Sequence, residues 1–393
     1  MSLIQEKLAQ AKLLVRELGV DCWMTFVRES ALNGDPTLAF LTASNVTWHS
    51  AFLVTASGHT IAIVGSLDRA AIMDLDAYDR VEGYVKSFTE PFREVMRDLN
   101  PGSIAINYST ESEVCDGLTH GMYLQLQALL SEAGMEPRLI SAEKIISALR
   151  QRKTAGEIAS MKEAIRLTLE IYDAVGAYMR PGMTEEAIAG FMKERVREAG
   201  VGLAWDDSTC PSVFTGPGTA GAHYGPTGRK VERGHILNMD FGLRVDGYCS
   251  DLQRTWYVRS QQESTAPPEV MRGFDTIRRS IEEARKAMRP GVQGVQVDAV
   301  ARHIITNEGF EEFPHGLGHQ VGRFAHDGTA LLGPAWEKYG SKPFEPLEEG
   351  MVFTIEPRLT VPGRGVVTIE EMVLVTKTGA EYLSAPQEKI LLI

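Results

Sequence analysis

Four acidic residues in the second half of the chain lie inside or at the end of apolar segments that otherwise resemble buried β-strands. Burying a carboxylate is costly unless it is paired with a positive group or bound to a cation. Several such acids on neighbouring strands, together with one imidazole, predict a metal site. The five side chains are Asp240, Asp251, His319, Glu356 and Glu370.

Composition limits the remaining classes of function. The chain has 393 residues, of which 44% are hydrophobic, which is enough for two domains with their own cores. The net charge is −12, and no basic run is longer than Arg278–Arg279, which argues against a nucleic-acid partner. The four cysteines are scattered without metal-ligand spacing, which argues against a disulfide scaffold or thiolate zinc site and fits a reducing compartment.

The first residues predict an amphipathic helix rather than a signal peptide, because charges alternate with apolar positions from Ile4 to Leu18. No segment reaches the roughly 18 uninterrupted apolar residues that a membrane span requires. We therefore expect a cytoplasmic protein without a membrane partner.

Residues 1–150 alternate helix and strand signals, which predicts an α/β domain with a mixed sheet. Expected strands include residues 22–27 and 38–43, followed by a hairpin that turns at Ser57–Gly58. Long helices and then long strands occupy residues 151–393, which predicts an α+β domain.

The second domain also contains an internal repeat. The tetrapeptide Met-Arg-Pro-Gly occurs at 179–182 and again at 288–291, and each copy separates two helical segments. A Gly-rich loop with histidine and two acid-bearing strands follow each copy, which predicts two related units around a pseudo-twofold axis.

Each pair of acids falls in a predicted hairpin. With a turn at 245–247, Asp240 and Asp251 are expected nearly opposite each other on one face. With a turn at Pro362–Gly363, Glu356 and Glu370 are expected to face each other in the same way. Like charges this close would force one acid to keep its proton unless a cation intervened.

Four carboxylates and one imidazole form a hard, oxygen-rich ligand set, which favours Mn²⁺, Co²⁺, Fe²⁺ or Zn²⁺ over thiophilic ions. Four negative charges exceed what one divalent ion needs, so we expect two ions that share bridging carboxylates. Such a pair polarises a carbonyl and acidifies water, and the implied reaction is amide hydrolysis.

These motifs resemble the family of methionine aminopeptidase, aminopeptidase P and prolidase, which has the pita-bread fold. The resemblance lies in DFG, GYCSD, HGLGH, TIEP and GVVTIEE, and residues 1–150 are similar to the extra N-terminal domain of its prolidase, aminopeptidase P and creatinase branch. It implies an Xaa-Pro dipeptidase with two divalent ions, Mn²⁺ being the expected one, a small peptide as substrate and a homodimer.

The resemblance also implies a role for each residue. Asp240 resembles a ligand of one ion, Asp251 and Glu370 resemble bridging ligands, and His319 and Glu356 resemble ligands of the second ion. The substrate-binding residues are expected to be His223, His315 and His326. The same comparison implies that His223 stabilises the tetrahedral intermediate and that His326 and Glu356 handle protons.

Two positions leave alternatives open. Thr368 stands where family members with Xaa-Pro specificity often carry Arg, so an aminopeptidase P activity or hydrolysis of a small amide or amidine of the creatine or ectoine type stays open. A non-catalytic peptide-binding module is a further alternative. Glu371 follows Glu370 and is a competing ligand, but strand alternation turns neighbours to opposite faces and the family register favours Glu370.

Overall fold

The computed structural model describes residues 1–218 and 224–393, which form two compact units, Met1–Arg150 and Gln151–Ile393. In these residues no helix is long and apolar enough to cross a membrane. The helices are α1 Leu3–Glu17, α2 Arg69–Met73, α3 Thr89–Leu99, α4 His120–Glu132, α5 Glu143–Gln151, α6 Ala155–Tyr178, α7 Glu185–Ala199, α8 Pro268–Ala287 and α9 Gly294–Asn307.

The strands of the first unit are β1 Cys22–Val27, β2 Ser50–Thr55, β3 Thr60–Gly65, β4 Arg80–Tyr84, β5 Ser103–Ile106 and β6 Arg138–Ser141. Those of the second are β7 Gly202–Leu203, β8 Ser212–Thr215, β9 Ile236–Phe241, β10 Leu243–Val245, β11 Tyr248–Cys249, β12 Leu252–Tyr257, β13 Gly318–His319, β14 Leu331–Leu332, β15 Val352–Ile355, β16 Arg358–Val361, β17 Gly365–Thr368, β18 Glu371–Val375, β19 Ala380–Tyr382 and β20 Leu391–Leu392.

The first unit is built on one six-stranded mixed sheet in the order β4-β3-β2-β1-β5-β6. The β1–β2 and β2–β3 pairs are antiparallel, whereas the other three pairs are parallel. Strand β1 is buried on both sides, because Trp23 packs into the core on one face and Met24 into the core on the other. The predicted α/β class and mixed sheet are confirmed.

The prediction of a strand over residues 38–43 is wrong. Leu38–Phe40 forms a short 3₁₀ helix whose Leu38 and Phe40 side chains are buried beside α1. A short apolar run signals burial, but it does not by itself distinguish an extended segment from a helical turn. The hairpin at Ser57–Gly58 forms as predicted, with Gly58 at φ +91°.

In the second unit, α8 and α9 cover the strand pair β16–β17 and the sheet β15-β18-β19 with a continuous apolar core. Capping fixes where α6 starts, since the Thr154 hydroxyl accepts from Glu157 N–H and the Glu157 carboxylate accepts from Thr154 N–H. The two Met-Arg-Pro-Gly segments follow α6 and α8, and their glycines have similar left-handed φ values, +94° for Gly182 and +88° for Gly291. The pseudo-twofold relation itself stays a prediction.

Two antiparallel hairpins carry the acids. In the first, β9 pairs with β12 and the chain turns at Asp246–Gly247 between β10 and β11, where both residues have positive φ. In the second, β16 pairs with β17 and β15 pairs with β18 in one continuous register. A β-bridge between Gln253 and Glu370 joins the two hairpins. This junction brings acids from distant parts of the sequence together.

Candidate metal centre and adjoining cavity

The described side chains of the predicted ligand set converge at the junction of the hairpins. The Nε2 atom of His319 lies 3.2 Å from a carboxylate oxygen of Glu356, 3.8 Å from one of Asp251 and 4.0 Å from one of Glu370. Ligand atoms of Asp251, His319 and Glu370 all lie within 4.8 Å of one another, a spacing that one metal ion can span. Asp240 belongs to the same cluster, because its charge raises the pKa of both Asp251 and Glu370.

The register of the first hairpin differs from the prediction by two residues. Asp240 is paired with Gln253, and Asp251 immediately precedes β12, so the two acids are diagonal neighbours on one face rather than opposite each other. The reason is that the β9–β12 ladder extends past Asp240 to a Phe241–Leu252 pair before the chain turns away. In the second hairpin, Glu356 and Glu370 lie between the Ile355–Glu371 and Arg358–Thr368 pairs and face each other.

The cluster is electrostatically unbalanced. Burial raises the pKa values of Asp240, Asp251 and Glu370 well above their ordinary range, and the negative charges of the neighbouring acids raise them further. Burial has the same tendency at Glu356, but the hydrogen bond and charge of His319 outweigh it and lower that pKa. Three acids thus repel one another in a buried site.

Two carboxylate oxygens of the cluster are buried without a hydrogen-bond partner in the described part of the chain, Oδ1 of Asp240 and Oε2 of Glu370. Buried acceptors are almost always satisfied, and leaving a charged one unsatisfied is costly. Divalent cations would fill this need and remove the repulsion between the acids. The residues present therefore fit a metal centre.

The backbone and side-chain contacts of His319 turn its Nε2 atom toward the carboxylates. Its Nδ1 lies 3.3 Å from the carbonyl of Gln320, which suits an Nδ1–H donor, so Nε2 would offer its lone pair to a cation once it gives up the proton that it shares with Glu356. The His319 N–H donates to the hydroxyl of Thr354, which in turn donates to Glu356 at 3.3 Å. The imidazole is held for coordination by groups that are not themselves predicted ligands.

The other predicted histidines separate into two groups. His315 and His326 line the cavity beside the cluster, and the ring of His326 meets that of His319 edge-on with 4.1 Å between centroids. Burial lowers the pKa of His315 and its Nδ1 donates to the carbonyl of Gly316, so the lone pair of the neutral ring lies on Nε2. His223 lies outside the described residues.

A cavity of about 260 Å³ opens beside the acids. It is smaller than the roughly 300–1,000 Å³ typical of drug-sized ligands, and so suits a small substrate. Its lining includes the apolar side chains of Phe214, Leu331 and Val366 as well as His319 and Glu356 of the predicted ligand set. The remaining lining residues are Gln253, His315, Gly316, Gly318, His326, Tyr339, Arg358 and Thr368.

Thr368 and Glu371 both make buried contacts with other side chains of the second unit. The Thr368 hydroxyl lies 3.0 Å from Oε1 of Gln253, and the Gln253 amide donates to Glu356 at 3.3 Å. Glu371 is buried in an ion pair with Arg254 at 3.1 Å and accepts hydrogen bonds from Ser384 and Gln387. Its carboxylate is thus engaged by other partners.

The sequence analysis missed the contacts that hold the loop with His315 and Leu317 in place. Arg302 donates two hydrogen bonds to Asp298, at 2.7 and 2.8 Å, and one to the carbonyl of His315 at 2.7 Å. Asp298 also accepts from the N–H of Leu317. The sequence does contain a pattern that predicts this ion pair, because Asp298 and Arg302 are four residues apart on one helix. That helix directly precedes the loop.

Replacement of Arg302 by Lys is expected to lower kcat/KM about 10- to 100-fold, because an ammonium cannot make the forked contact that fixes the loop. Steady-state kinetics on the metal-loaded protein measure this change. Arg279→Lys, on the exposed Arg279–Glu308 pair, is the matched control and should leave kcat/KM unchanged. Equal activity of both variants would contradict the positioning role.

An α+β unit in which two hairpins meet at buried carboxylates and an inward-facing imidazole has the pita-bread fold and fits a metal centre. The chain belongs to metallopeptidase family M24, whose family model matches residues 159–377. It is therefore a metallopeptidase.

Known proteins similar to the chain agree with this membership. An uncharacterized peptidase from Staphylococcus saprophyticus is 30% identical over 262 residues, which cover 66% of this chain and 70% of the relative. The crystal structure of an X-Pro aminopeptidase from Thermotoga maritima superposes with a TM-score of 0.76 at 24% identity, covering 98% of this chain and 100% of that one. The dipeptidase PepE from Mycobacterium ulcerans superposes with a TM-score of 0.70 at 26% identity, covering 100% and 98%.

Proposed function

We propose that the protein hydrolyses the Xaa-Pro bond of short peptides, with dipeptides preferred, using two divalent metal ions. The observation that carries the proposal is the buried cluster of mutually repelling acids, which has two unpartnered oxygens in the described part of the chain and which reaches a small cavity through His319 and Glu356. The X-Pro aminopeptidase and dipeptidase likenesses support the bond and the substrate size.

The proposed ligands are Asp240, Asp251, His319, Glu356 and Glu370, with Asp251 and Glu370 as the bridging pair. Bound ions would polarise the scissile carbonyl and lower the pKa of a water molecule. Mn²⁺ is the expected ion, with Co²⁺, Zn²⁺ and Fe²⁺ as alternatives that suit the same oxygen-rich set.

Protein groups around this centre have separate proposed tasks. Glu356, whose pKa stays low beside His319, accepts a proton, and His326 at the cavity wall donates one to the leaving nitrogen. The neutral His315 offers Nε2 as an acceptor for a substrate N–H, and His223 is proposed to bind the oxyanion.

The apolar residues that line the cavity support proline as the residue after the scissile bond. The pyrrolidine ring is compact and apolar, and Phe214, Leu331 and Val366 offer a surface on which to bury it. The tertiary amide of an Xaa-Pro bond has no N–H to leave unsatisfied against such side chains. A homodimeric assembly and a cytoplasmic location remain predictions from the sequence.

With Mn²⁺ present, the protein should hydrolyse Ala-Pro at least about tenfold faster than Ala-Pro-Ala and at least about 1,000-fold faster than Ala-Ala, in kcat/KM. Chelation with EDTA should abolish turnover and Mn²⁺ should restore it. Proline release, measured by chromatography, gives both results.

The same assay, extended to creatine and an ectoine-type ring, separates the alternative functions as well. A preference for Ala-Pro-Ala would favour an aminopeptidase P activity, and turnover of creatine or an ectoine-type ring alone would favour a non-peptide hydrolase. Turnover of none of these by the Mn²⁺-loaded protein would contradict the proposed function.

A further inference from the structure

Arg358 occupies a particular place in the cavity. It is the first residue of β16, two positions after Glu356, so strand alternation sets the two residues on one face. In the β16–β17 ladder it is paired with Thr368, and both residues line the cavity. Arg358 is half-buried, and its positive charge contributes to the low pKa of His315.

Within residues 1–218 and 224–393, the guanidinium of Arg358 has no ion pair. The side chain is half-buried, and none of the ion pairs of the described residues includes it. Two more deeply buried arginines of the unit are paired, Arg254 with Glu371 at 3.1 Å and Arg302 with Asp298 at 2.7 Å. Removing a guanidinium from water without a partner is unfavourable, so an unpaired one in a cavity indicates an anion that arrives with the ligand.

The side chains of Glu356 and Thr368, which line the cavity with Arg358, have other partners. Glu356 contacts His319 and Gln253, and the hydroxyl of Thr368 lies within hydrogen-bond distance of Gln253 Oε1 and the carbonyl of Pro357. Among the lining residues of the cavity, Arg358 is the one arginine, and no lysine lines it in the described part of the chain. The planar guanidinium fork matches a carboxylate through two parallel hydrogen bonds.

The spacing of residues 356 and 358 is compatible with a dipeptide substrate. Residues 356 and 358 are about 6.6 Å apart along an extended strand, at roughly 3.3 Å per residue. In a dipeptide, the terminal carboxylate follows the scissile carbonyl by one residue, or about 3.8 Å between consecutive Cα atoms. A peptide whose scissile carbonyl lies over the acids therefore places its carboxylate within reach of the flexible Arg358 side chain.

We propose that Arg358 binds the free C-terminal carboxylate of a dipeptide substrate and thereby sets the preference for dipeptides. This inference rests on the proposed Xaa-Pro activity and adds a specificity-determining residue to it. A C-terminal amide, or a third residue, removes the charge that Arg358 recognises at this position.

The test compares two substrates of the Mn²⁺-loaded protein, Ala-Pro and Ala-Pro-amide. They differ in the terminal charge and little in shape. The wild type should favour Ala-Pro about 100-fold in kcat/KM. Arg358→Met should lose roughly that factor on Ala-Pro, mainly through KM, while its activity on Ala-Pro-amide stays within about twofold of the wild type. Arg358→Lys should recover part of the loss, because it keeps the charge but not the fork.

Arg364→Met is the matched control, since Arg364 lies in the turn of the same hairpin and pairs with Glu269 at 2.8 Å. It should behave as the wild type. Retained discrimination between acid and amide in Arg358→Met would overturn the role of Arg358 alone. Failure of the wild type to cleave either substrate would instead overturn the proposed function and this inference with it. Activity on the amide shows that the variant is folded.

Discussion

Replacement of Asp251 by Asn should reduce kcat/KM for Ala-Pro at least about 1,000-fold, which corresponds to about 4 kcal/mol in activation free energy. The amide keeps the shape of the side chain but lacks the negative charge with which Asp251 would hold the proposed ions. Asp251 lies 3.8 Å from Nε2 of His319 and within the three-residue ligand group, so the substitution removes one charged ligand from that group. Steady-state kinetics in saturating Mn²⁺ measure the effect.

The same substitution should leave the metal-free protein at least as stable as the wild type. Burial and the charges of Asp240 and Glu356 raise the pKa of Asp251, so its ionised form is unfavourable in the folded state without a cation. Asn removes that charge. A thermal melt in EDTA checks this, and a marked fall in Tm would show that the loss of activity reflects misfolding.

Asp246→Asn is the matched control for the loss of a carboxylate. Asp246 is exposed in the β10–β11 turn with φ +49°, and Asn-Gly suits such a turn as well as Asp-Gly does. Activity and metal binding should not change. A loss comparable to that of Asp251→Asn would contradict a specific role for the buried acid.

Gly318→Ala should destabilise the second unit by about 3 kcal/mol and abolish activity. A Cβ at Gly318 would lie 2.0 Å from the carbonyl oxygen and 2.7 Å from the carbonyl carbon of Thr354. Both are backbone atoms of β15, so a side-chain rotation cannot relieve the clash. The backbone must separate, which displaces His319 from the acids.

Thermal unfolding and Mn²⁺-dependent activity measure this second prediction. Gly190→Ala in α7 is its control, because a Cβ there meets no atom within 4 Å and alanine is favoured over glycine in a helix by about 0.5–1 kcal/mol. That variant should be as stable as the wild type or slightly more so. Wild-type activity in Gly318→Ala would show that the close approach of Gly318 to β15 is not needed for activity.

The sequence allowed much of the fold to be predicted, because strong local signals coincided with the tertiary arrangement. Alternating and apolar runs predicted β1 and the β2–β3 hairpin. The segment 38–43 was mispredicted, since apolar content reports burial and not backbone conformation.

At the candidate site, sequence reasoning identified acids but not their exact register or their supports. The turn at Asp246–Gly247 fixed which strands pair, yet the diagonal relation of Asp240 and Asp251 depends on where the ladder continues past the acids. Gln253 and Arg358 were missed, although each lies two residues after a predicted ligand and therefore on its face. Their partners come from the other hairpin or from the substrate, which local patterns do not reveal.

Metal binding by the purified chain tests the central claim most directly. After equilibrium dialysis against Mn²⁺ and elemental analysis, the wild type should hold two ions per chain, and Asp251→Asn should hold no more than one. Retention of two ions by Asp251→Asn would contradict a bridging role for this acid. A wild-type protein that binds no divalent ion would contradict the assignment of these buried carboxylates as a metal centre.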